Sequence, residues 1–147
     1  MRGAAILLLL LGACGDTVDT TGLPPLDGYR DWAAFEFTGE VPGHGSGRRV
    51  VYVNDVGRMY GHAGRYRPGT VIVKDIFEAE DGTGEPDYIS VMRKIAGDDP
   101  AAEGLPLDGG WLFTLIEDGD EVYYDFCWAR CHQAATYDGA WYDYGAP

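Results

Sequence analysis

Residues 48–126 are built of short apolar, β-branched runs separated by local turns, and this pattern limits the fold more than any other feature of the chain. The runs are "RRVVYVN" (48–54), "TVIVKDIFEAE" (70–80), "YISVMRKI" (88–95), "WLFTLIE" (111–117) and "EVYYDF" (121–126). Val, Ile, Phe, Tyr and Trp suit a pleated, half-buried surface. The connections "RPGT", "DGTGEPD", "AGDDPAAEGLPLDGG" and "DGD" are rich in Gly, Pro and Asp and carry no helical period. Parallel strands need long crossovers, so strands joined this closely pair antiparallel. Upstream, Asp27 is a candidate helix N-cap, and Tyr29, Trp32, Ala33 and Phe35 fall near helical spacing, which predicts a short helix over 28–35. The expected class is mainly β, of the α+β kind: an antiparallel sheet with one or two short helices.

The first residues read as an address rather than as fold. "MRGAAILLLLLGAC" has one basic residue, Arg2, then an apolar run too short to span a bilayer, then small residues before Cys14. Its ending, "LGAC", resembles a bacterial lipobox, in which the cysteine becomes a lipid-bearing N-terminus. The alternative is an ordinary cleaved signal that leaves Cys14 as a thiol. The expected organisation is a lipoprotein signal over 1–13, a lipidated polar tether over 14–26 and one domain over 27–147. The implied location is outside the cytoplasm, facing the periplasm or cell exterior and held to a membrane by acyl chains alone. Residues 27–147 suffice for one domain with a hydrophobic core.

Charge narrows the partners. Twenty-four Asp and Glu against 11 Lys and Arg give a formal charge of −13. Nucleic-acid binding rests on cations at phosphates, and docking on anionic lipid rests on a basic patch. Neither is expected.

The chemistry concentrates in "FCWARCHQ", residues 126–133. It is similar to the C-x-x-C-H haem attachment motif of c-type cytochromes, with one extra residue between Cys127 and Cys131. A bulged three-residue loop still spans the two vinyl groups, and His132 stands where an iron ligand is needed. A Cys127–Cys131 disulfide is the competing reading, and an exported protein lives where disulfides persist. It gives His132 no role. Zinc requires a fourth ligand from His44 or His62, and neither has finger-like spacing.

The order "YRDW", "RVVYVN", "PGTVIVKD", "VMRK", "GGW" and "CHQAATYD" resembles the cytochrome P-460 family, which includes cytochrome c′-β. The resemblance runs from about Tyr29 to Asp138. It implies a mainly antiparallel β fold holding one haem c, bound through Cys127 and Cys131, with His132 as proximal iron ligand. Members oxidise hydroxylamine or bind nitric oxide, so small nitrogen species and a redox partner protein are the implied partners. Some members dimerise, so a homodimer is admitted. In the P-460 type a lysine is bonded to the porphyrin, and Lys74 matches it. Arg49 matches an arginine near the haem pocket.

The residues themselves give Lys74 two readings. Period two puts Ile72, Lys74 and Ile76 on one strand face. If that face is core, the amine is desolvated and pushed towards its nucleophilic form. Otherwise Lys74 guards an edge strand or lays its stem on apolar surface with its head in water. Met92 is a candidate sixth ligand in a His/Met electron carrier, though a strand Met more often packs in a core. Met59 is a weaker candidate. His44 and His62 sit in loops. Tyr123, Tyr124 and Phe126 are expected to pack on the haem or in the core, "YDGAWYDYG" to form the opposite wall, and Asp138 to serve in a turn or hydrogen bond.

Overall fold

The structure, a computed structural model, describes residues 15–40, 45–60 and 64–145. Cys14, His44 and His62 lie outside them, as does the signal read over 1–13. Seven strands form one antiparallel sheet: β1 (Asp16–Thr17), β2 (Ala33–Thr38), β3 (Arg48–Val53), β4 (Val71–Phe77), β5 (Tyr88–Lys94), β6 (Trp111–Glu117) and β7 (Asp120–Tyr123). The order across the sheet is β1-β7-β6-β5-β4-β3-β2. From β2 to β7 this is a meander, the topology that short local connections dictate. The fold is mainly β, with one α-helix, α1 (Phe126–Arg130), and several single 3-10 turns.

The helix expected over 28–35 does not form. Tyr29–Asp31 makes one 3-10 turn, and Ala33–Thr38 runs on as β2, paired with β3 from Ala33↔Val53 to Thr38↔Arg48. The helical spacing misled because two aromatics, Phe35 and Phe37, also fit period two. Phe35 meets Tyr144 with ring centroids 5.1 Å apart, and Phe37 stacks on Tyr142 at 4.3 Å. An isolated helix of two turns is marginal in water; a six-residue ladder with two rings packed against the core is not. β7 ends at Tyr123, and the rest of "EVYYDF" leads into α1.

Each face of the sheet is covered. On the front, Val51, Val53, Ile72, Met92, Trp111 and Phe113 pack beneath Tyr66, Ala140 and Tyr144, with Cys127 and Trp128 against them. On the back, Val71, Val73 and Val91 are nearly inaccessible under Leu26, Tyr29 and Trp32. The back also buries charge, each with partners as burial requires. Asp75 accepts from Tyr29 Oη at 2.7 Å and Arg30 Nε at 2.9 Å. Arg93 forks onto Glu121, which also accepts from Thr114 Oγ1. Arg93 Nε donates to Pro24 O at 3.2 Å, tying the incoming chain to the sheet. Asp16 and Thr17, in the stretch read as a tether, pair with Tyr123 and Val122.

Candidate functional site

The front face and the segment that crosses it enclose a cavity open on one side. Strand register supplies its floor. The pairing Val51↔Lys74 and Ile72↔Met92 puts all four side chains on one face, with Phe37↔Arg49 beside them. His132, Ala140, Trp141, Tyr142 and Tyr144 supply the opposite wall. The aromatic C-terminal segment therefore closes the site as its composition suggested.

Lys74 lies between Ile72 and Ile76 along its strand, and these neighbours are 3% and 1% exposed. Its amine opens into the cavity rather than into bulk water. Burial, reinforced by the nearby Arg49 charge and offset by Cys127, pushes its pKa down to about 8. A substantial fraction is neutral near that pH, and a neutral amine is a nucleophile. Arg49, 1% exposed, donates through Nη1 to Gly39 O at 2.8 Å and Gly47 O at 3.1 Å. It thereby clamps the ends of the β2–β3 connection to the cavity wall.

His132 begins a 3-10 turn directly after α1 and is 6% exposed. Its ring lies 4.7 Å from that of Phe113, and Nδ1 is 2.6 Å from Gly139 O. A carbonyl only accepts, so Nδ1 carries the proton and the lone pair sits on Nε2. Burial, opposed by the hydrogen bond to Gly139 and aided by a smaller push from Lys74, lowers its pKa and favours the neutral ring. A neutral imidazole with its lone pair on Nε2 is the form that binds a metal.

Cys127 and Cys131 stand as free, partly buried thiols. The sequence suggested a bulged loop between them. Instead the three intervening residues are helical: Cys127 is inside α1 and Cys131 caps its end. One turn of helix brings positions i and i+4 to nearly the same face, about 6 Å apart along the axis. The extra residue is absorbed by helix geometry, and His132 follows Cys131 directly. Trp128 anchors this turn. A Cβ on Gly109 would come within 2.5 Å of its Cη2 and one on Gly139 within 3.1 Å of its Cζ3, so the indole occupies a slot that side chains would fill. Burial raises the Cys127 pKa, with Cys131 and two carboxylates, Asp125 and Asp108, adding to it.

Several sequence candidates fall elsewhere. Phe126 is 44% exposed beneath Arg130. Tyr124 bonds Glu117, and Tyr123 packs beside Leu23, Ile95 and Leu112. None of the three lines the cavity, though Tyr123 packs on a core cluster as expected. Met59 is 44% exposed. Met92 does line the cavity. Sequence reasoning passed over Trp128 and Phe37, whereas Trp141 falls in the "YDGAWYDYG" stretch expected to form the opposite wall.

The residues fit a haem. The cavity walls are largely apolar, a metal-competent imidazole lines them, and Cys127 packs against the adjoining core. Trp141 Nε1 is buried at this cavity with no hydrogen-bond partner among the described residues. Buried donors rarely stay so, and a polar group on a bound ligand is the kind of partner it lacks. Among the described residues no helix is long and apolar enough to cross a membrane. No curated protein matches the chain. The family model for cytochrome P460 matches residues 26–142, from the strap behind the sheet through the aromatic wall of the cavity. The chain belongs to the cytochrome P460 family of c-type haem proteins.

Proposed function

We propose that the protein is an exported, lipid-anchored enzyme that oxidises hydroxylamine or a related small nitrogen species at a haem c and passes the electrons to a redox partner protein. The observation that carries this reading is the convergence of Lys74 and His132 on opposite walls of one cavity. In this reading Cys127 and Cys131 would hold the haem by thioethers, His132 Nε2 would bind the iron, and the Lys74 amine would be the group available for a cross-link to the ring. The haem, when bound, would supply the redox chemistry. Val51, Ile72 and the aromatic wall exclude bulk water, and Trp141 Nε1 offers a hydrogen bond.

A specific observation favours a second reading, capture of nitric oxide without turnover. Oxidising hydroxylamine releases protons, and among the described residues the cavity wall carries no carboxylate to take them. Lys74→Ala protein that retains haem separates the two. The enzyme reading predicts a shifted absorption spectrum and loss of hydroxylamine oxidation by at least tenfold. An unchanged spectrum with no turnover in either protein favours gas capture. A low-spin, six-coordinate resting iron would instead put Met92 on the metal and make the protein an electron carrier.

A further inference from the structure

We propose that Asp138, held by Lys94, is a positioning residue that fixes the tautomer and orientation of His132. The inference rests on the reading of His132 as the iron ligand for its consequence, but its geometry is independent of any bound group. Tyr137 and Ala140 exchange both backbone hydrogen bonds, at 3.0 and 2.9 Å. Between them Asp138 has φ 49° and Gly139 φ 92°. This is a two-residue hairpin with both central residues left-handed.

The hairpin is tied at several points beyond its own backbone. Asp138 Oδ2 accepts from Tyr66 N and pairs with Lys94 Nζ, each at 3.0 Å. The carbonyl of Asp138 accepts from the buried Trp111 Nε1 at 2.6 Å. Lys94 is itself located by Gly109 O at 2.8 Å and by the face of the Trp111 ring at 5.0 Å. The next carbonyl along, Gly139 O, is the one that receives His132 Nδ1. β5, β6 and the loop before β4 thus converge on one turn, and that turn presents a single acceptor to the imidazole. A turn former alone needs only left-handed tolerance, which Asn and Gly also have. The carboxylate adds anchorage to two separate elements.

The consequence is electronic as well as steric. A well-aligned acceptor on Nδ1–H makes the imidazole a stronger donor through Nε2 and fixes the ring plane. Loosening the turn permits the other tautomer, whose Nε2 carries a proton and binds no metal.

The test has one readout on the haem-free chain and one on the loaded protein. Imidazole nitrogen chemical shifts of haem-free protein, taken well above the His132 pKa, are expected to show a single Nδ1-protonated tautomer. Asp138→Gly keeps the left-handed turn but drops the anchor, and is expected to show both tautomers. Asp138→Asn restores an acceptor and is expected to return the single tautomer. In loaded, reduced protein, Asp138→Gly is expected to move the iron–histidine stretch to lower frequency and raise the midpoint potential. If Asp138→Gly does not fold, Lys94→Met reads the same quantity: a second tautomer supports the proposal and an unchanged single tautomer overturns it. The proposal is also overturned if Asp138→Gly loses thermal stability while tautomer and stretch stay as in the parent. Failure of the chain to take up haem would strike the haem reading and leave the nitrogen shifts to decide this one.

Discussion

Lys74 is where the chemistry of a single residue departs furthest from its ordinary behaviour. Its folded pKa is pushed down to about 8, whereas an unfolded lysine titrates near 10.4. Between those values the unfolded chain binds more protons than the folded one, so stability rises with pH across that window. Below about pH 8 the folded protein carries the full cost of a charged amine in the cavity wall. Lys74 is only partly buried as a residue, so the cost is less than full conversion of the shift; about 2 kcal/mol is a fair magnitude. Denaturant titrations of haem-free protein are therefore expected to show the parent gaining on Lys74→Met by that amount from pH 8 to 10.5. Parallel curves would mean that the amine is solvated. Period two sufficed to place Lys74 with Ile72 and Ile76. Its approach to His132 was not legible, because that distance is set by how residues 126–145 cross the sheet.

Among the elements, α1 decides whether the long Cys127–Cys131 spacing works. Its position depends on Trp128 resting on two glycines. Gly109→Ala would place a Cβ 2.5 Å from the indole, at a residue with φ 59°. Gly119, with φ 92° and nothing within 4 Å of its Cβ position, is the control for strain alone. Both substitutions cost about 1–2 kcal/mol of left-handed strain. Gly109→Ala is expected to cost about 1–3 kcal/mol more through overpacking and to lower haem content, whereas Gly119→Ala keeps full haem content. Equal losses in both would remove Trp128 as the anchor of α1. The strands from β3 to β6 were legible to within a few residues at each end, because alternation, β-branching and turn chemistry agreed there. The helix expected over 28–35 failed where two periods shared the same aromatics, and Phe35 and Phe37 were claimed by rings from the far end of the chain. Helical geometry between the two cysteines was hidden for a similar reason: "CWARC" is too short to show a period, and Trp128 finds its slot only in the folded molecule.

The whole molecule divides its labour between the two faces of one sheet. The back is closed by residues 23–32 through apolar packing and the paired charges of Asp75 and Arg93. The front keeps a cavity, and the last segment of the chain brings the imidazole and the aromatic wall to it, with Cys127 packed against the adjoining core. Family membership supplies the expectation of haem c, and Cys127, Cys131 and His132 are the residues proposed to hold it. Tryptic digestion of protein made in a host that matures c-type haem tests this assignment. Trypsin cuts after Arg130, between the two cysteines. The fragments carrying Cys127 and Cys131 should remain joined after reduction, with the mass of one haem added. Fragments that separate on reduction, with no haem mass on either, would contradict the account and leave a disulfide-bonded β protein in its place.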